Sequence, residues 1–118
     1  MIQLTDEQMG QLAINRRRNL AQYFSERALS RDPTLSDQYD KEVLTDVFEL
    51  ELNEAHGHGM QSMAMLERWC DIATAVSFGF GTSTVWAMRT LSRTDISPAA
   101  KLSKLESASV FAARALEQ

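Results

Sequence analysis

His56 and His58 lie one residue apart with Glu54 just before them, and all three are residue types that bind transition metals. A useful site needs three or four ligands converging on one point, and the chain holds no third histidine. Gly57 and Gly59 interleave with the pair, which predicts a helix end where protonated histidine answers free carbonyls and the helix dipole. The expectation is therefore no metal and no cofactor. A second candidate is the Gly-x-Gly of Phe78-Gly79-Phe80-Gly81-Thr82-Ser83. It follows a helical pattern rather than a strand, and no Gly-x-x-x-x-Gly-Lys-Ser/Thr motif is present, so a packed corner between helices is predicted instead of a phosphate cradle. Cys70 is the single cysteine and falls in the most apolar segment, where a thiol acts as a small hydrophobe. One cysteine excludes an internal disulfide and fits a reducing compartment. No nucleophile, base and orienting group come together, and the chain is not expected to be an enzyme.

The acidic residues suggest binding rather than catalysis. Glu42, Asp46 and Glu49 stand at i, i+4 and i+7, so a helix places the three carboxylates on one stripe, and Lys41 points elsewhere. Each like-charge neighbour costs such a helix roughly 0.2–0.5 kcal/mol, which an ordinary surface avoids by interspersing lysines. Two readings stand: a solvated acidic face, or a surface that steers and docks a protein partner that is basic at the contact. Phe111 is the other candidate contact. It lies about 180° from Leu102 around the last helix, so it must meet a second layer of helices or stay exposed to cargo or a second copy, making a homodimer. Packing is the expected outcome.

Nucleic acid is not expected. The net charge is −4 and the pI near 5.1, the wrong sign for neutralising phosphates. Residues 1–59 hold 11 acidic and 6 basic side chains, and residues 60–118 hold 5 and 6, so the first half is the one that attracts a basic partner. The run Arg16-Arg17-Arg18 cannot form one patch, because successive helical residues point about 100° apart. Arg16 and Arg27 fall inside an apolar stripe, and Glu51 and Glu54 fall in or beside another. Ion pairs at the core edge are expected for them, in preference to contacts with a partner.

These residues need helices to position them. A length of 118 residues fits a single domain over 1–118, and helical spacing with only two prolines and five glycines predicts an all-α fold. The expected architecture is a compact antiparallel bundle of about five helices. The first runs from Asp6 to about Leu29, opened by a capping box at Thr5 and Gln8, with Met9, Leu12, Ala13, Leu20, Tyr23 and Phe24 as its stripe. Asp32-Pro33 stops it and can open a short turn. The second spans about Asp40 to His56, with Val43, Leu44, Val47, Phe48 and Ala55 on one side. The third, about Ser62 to Phe78, is apolar nearly all round and is expected at the centre, with Leu66, Trp69, Cys70, Ala73 and Trp86 buried. Ser83 is the expected cap of a short helix through Leu91. Ser97-Pro98 opens the last, whose stripe is Leu102, Leu105, Ala108, Ala112 and Leu116. No apolar run approaches the roughly 18 residues of a membrane span and no secretory signal is visible, so cytoplasmic location is expected.

From residue 52 onward the order of features resembles a known group. Leu52, Ala55, His58-Gly59-Met60, Ser62, Trp69, Gly79-Phe80, Trp86-Ala87, Leu91 and Ser97-Pro98, followed by Lys101 and Leu105, carry the likeness. The group is that of small helical accessory proteins encoded beside type VI secretion spike and effector genes. Asp32-Pro33 replaces the group's usual Phe-Pro, and His58-Gly59-Met60 replaces Tyr-Gly-Ile. The resemblance implies a non-enzymatic adaptor or chaperone that binds a secreted effector or a spike component. The alternative it implies is an immunity protein that binds and neutralises a cognate toxin. It assigns a role to no single residue.

Overall fold

The computed structural model describes residues 6–117, with side chains over residues 16–112. Six α-helices and no strand occur among the described residues, so the fold is all-α, as the helical spacing predicts. The capping box at Thr5 and Gln8 and the stripe positions Met9, Leu12, Ala13 and Leu116 involve side chains outside the described residues. None of the described helices is long and apolar enough to cross a membrane. The chain divides into two compact units, Met1–Glu49 and Leu50–Gln118.

The first unit holds α1 (Asp6–Arg31), a 3₁₀ turn over Pro33–Asp37 and the first half of α2 (Lys41–Gly57). Pro33 opens the turn and the Asp32 side chain caps it, accepting from the Thr34 amide at 3.2 Å. Asp40 caps α2 in the same way, accepting from the Val43 amide at 2.8 Å. On α1 the buried residues are Ala21, Phe24, Ser25 and Ala28, a helical stripe rotated from the expected one. Leu20 is half-buried and Tyr23 is exposed. Small side chains line this contact because they let a second helix approach closely. There the Ser25 and Thr45 hydroxyls meet at 3.1 Å, and Phe24 faces Phe48 at 6.3 Å between ring centres. Val43 is likewise exposed, and Leu44, Thr45 and Phe48 hold the buried side of α2.

The second unit begins with the rest of α2 and continues through α3 (Met63–Ala75), α4 (Phe80–Ser83), α5 (Val85–Leu91) and α6 (Pro98–Glu117). α2 ends in a left-handed Gly59 (φ 88°), with the Met60 amide donating to the Ala55 carbonyl at 3.0 Å and the Gly59 amide to the His56 carbonyl at 3.0 Å. Met60, the residue after the turn, is fully buried. A Cβ at Gly59 would also come within 2.9 Å of the Pro98 ring, so this position must be glycine on two counts.

Ser62 caps α3, accepting from the Met65 amide at 3.2 Å, and α3 packs on α6. Leu66, Trp69, Cys70, Ile72 and Ala73 are buried, which fits the expected core helix. α3 stops at Ala75, short of Phe78, and the left-handed Gly79 (φ 82°) turns the chain into α4. Ser83 does not cap α5. Its hydroxyl donates back to the Gly79 carbonyl at 2.9 Å, and the extended Thr84 separates the two short helices. Trp86 is half-buried rather than buried, because Phe80 fills the core position and the indole stacks over it at 6.1 Å. Ser97 caps α6 as predicted, accepting from the Ala100 amide at 3.1 Å.

Candidate protein-interaction site

The acidic stripe lies in the first unit. Glu42 and Asp46 are exposed, and Glu49 is half-buried. The stripe is not left without a cation, as the sequence suggested. Arg18 on α1 reaches both Asp46 (2.5 Å) and Glu49 (2.8 Å), and these two bonds hold its guanidinium firmly charged. Lys41 is turned to Glu26 at 2.9 Å, consistent with its expected direction away from the stripe. Arg18, Gln22, Glu26, Lys41, Glu42 and Thr45 line an open cleft of about 430 Å³. Three carboxylates facing one guanidinium leave the stripe acidic, and Glu42 has no ion pair among the described residues. The cation was missed because the basic run offered three consecutive arginines. Only the α1–α2 packing selects Arg18, while Arg16 is exposed rather than at the core edge.

The apolar candidate lies in the second unit. Phe111 is 73% exposed and Val110 beside it 50%, so the expected packing of Phe111 into a second layer does not occur. Leu102, Leu105 and Ser109 take the buried side of α6. Arg68 of α3 binds Glu106 and reaches the Ser103 hydroxyl at 3.3 Å, fixing α6 from its flank.

The most chemically loaded cluster is at the end of α2. Glu51 is 3% exposed, yet both groups that donate hydrogen bonds to it are neutral. Its Oε2 accepts from the Trp69 indole at 2.8 Å and its Oε1 from the Gly79 amide at 2.5 Å. The ion pair expected at the core edge is replaced by two neutral donors. Burial pushes the Glu51 carboxyl up, the Gly79 and Trp69 bonds pull it down, and nearby Glu54 adds to the rise. Glu54 is also pushed up by burial, and its Oε1 is sealed from solvent with no hydrogen-bond partner among the described residues. That oxygen lies against Gly81, where a Cβ would collide with it. His58 stacks on Trp69 at 5.9 Å, and Trp69 meets Phe80 at 4.8 Å. Burial, then the positive charge of Lys101, lower His58, so its imidazole is neutral at pH 7 and does not act as the charged cap the sequence suggested. Among the described residues no group of three or more His, Cys, Asp or Glu side chains is placed to hold a metal ion. Apart from Glu54 Oε1, the cluster's groups are spent on one another and on backbone, which makes it a structural knot.

Comparison with protein-family models, with curated proteins and with solved structures finds no match to this chain.

Proposed function

We propose that this chain is a non-enzymatic, protein-binding accessory factor acting in the cytoplasm as an adaptor or chaperone for a type VI secretion effector. The observation that carries the binding part is Phe111, a large aromatic ring 73% exposed on a long, otherwise well-anchored helix. The acidic stripe supports the same reading with different physics. Carboxylates that outnumber their guanidinium quicken encounter with a basic surface more than they deepen affinity. The secretion context rests on the resemblance of residues 52–105 described above. Immunity to a cognate toxin is the alternative role for the same surfaces.

The test is co-expression with the effector and spike products of the genes flanking its own. Wild type should co-elute with one of them, and Phe111→Ser should lose that partner while keeping its helical signal. Glu42→Lys, Asp46→Lys and Glu49→Lys together should slow capture, most of all at low salt. Failure of every flanking product to co-elute would sink the adaptor reading. Rescue of cells expressing the toxin, in a strain without the secretion apparatus, would assign immunity instead.

A further inference from the structure

We propose that Glu54 is a proton-operated latch on the α3–α4 corner: neutral, its carboxyl lies against Gly81 and the corner is closed; ionised, it swings away and the corner loosens. The argument is geometric. Oε1 of Glu54 is sealed from solvent without a donor, at a spot that is open only because residue 81 has no Cβ. A neutral acid keeps its proton on Oε2 and leaves only a carbonyl oxygen buried, a modest cost. An ionised carboxylate would share its charge with that sealed oxygen, where no donor answers it, and turning out to water is the available relief. The rise that burial imposes on this carboxyl agrees with that order of events.

The charged groups around the latch do not remove the problem. Glu51, three residues back on α2, carries like charge and already uses both oxygens on Trp69 and Gly79. His58, one turn on, is held neutral, and Lys101 of α6 spends its ammonium on the Leu91 carbonyl at 2.9 Å. α3 offers this cluster the Trp69 indole, α4 offers Gly79, Phe80 and Gly81, and α5 offers the Leu91 side chain. None of these supplies a second cation.

The corner carries its own reporter. The chain's two tryptophans, Trp69 and Trp86, both meet Phe80, at 4.8 and 6.1 Å between ring centres. Tryptophan emission of the full chain should therefore shift to longer wavelength as pH is raised upward from the ordinary carboxylate range. Glu54→Gln, which cannot ionise, should abolish that shift and hold the short-wavelength emission throughout. Gly81→Ala, whose methyl takes the carboxyl's place, should give the shifted emission at every pH. His58→Gln should leave the Glu54 transition in place while removing any quenching by protonated imidazole. An unshifted wild type, or a Glu54→Gln protein that keeps the wild-type transition, overturns the latch. So does a transition lost in His58→Gln and kept in Glu54→Gln. The proposal is independent of partner binding, and neither result bears on the other.

Discussion

One helix carries four carboxylates into two contrasting settings. Asp46 and Glu49, in the first unit, face a guanidinium at the water's edge. Glu51 and Glu54, in the second, are drawn into a core of aromatic rings and backbone amides. Glu49 and Glu51 are two residues apart and so point roughly 200° away from each other around the helix, which is enough to separate the two environments. Charge at a surface is cheap to hold and easily screened, and it binds weakly. Charge in a core is expensive and pH-sensitive, and it must find donors. The comparison teaches that carboxylates of one helix stay in surface ion pairs in one place and become part of the architecture in the other, by surroundings alone.

The largest way to break this contrast is Glu51→Leu. It strands the buried Trp69 indole N–H, whose loss of partner costs about 1–3 kcal/mol, and the half-buried Gly79 amide, partly offset by removing a desolvated carboxylate. A net destabilisation of about 1–3 kcal/mol is expected in urea unfolding. Unchanged stability would show that the buried carboxylate is no anchor.

A smaller effect is the pH dependence of the second unit. Glu51 and Glu54 are both raised in the folded state, so the stability they contribute is full below the ordinary carboxylate range and is lost as pH rises through their raised values. His58 is lowered, so its contribution is full above its ordinary value of 6.5 and is lost as pH falls through its folded value. His58→Gln should remove the acid-side loss and leave the other side untouched, read as thermal midpoints between pH 4.5 and 8. A midpoint profile that His58→Gln leaves unaltered would contradict the cause assigned to that arm.

The smallest expected effect is that of Arg18→Met. It removes a half-buried guanidinium from Asp46 and Glu49, and the resulting loss of stability should shrink as salt is raised. A loss of the same size at low and high salt would mean that Arg18 acts through packing, and the contrast between the units would narrow.

Two helix starts were legible in the residues themselves. Asp32-Pro33 and Ser97-Pro98 each place a side-chain oxygen and a preset φ beside free amides, and such effects act within one turn. The left-handed Gly59 and Gly79 are local in the same sense. The all-α class follows, because spacing near 3.6 residues is a property of the chain alone. Which side of each helix became buried was less secure. Small Ala21, Ser25 and Ala28 outcompeted the larger Tyr23, since close approach of α1 and α2 rewards fit rather than size. The candidate site divided along the same line. Spacing put Glu42, Asp46 and Glu49 on one stripe, but only tertiary packing chose Arg18 from three neighbouring arginines to meet two of them. Nor did spacing distinguish Phe111, left in solvent, from Phe80, taken into the core. The fate of Glu51 belonged wholly to the tertiary structure, because its two donors lie 18 and 28 residues away and no local pattern links a carboxylate to an indole and an amide that distant.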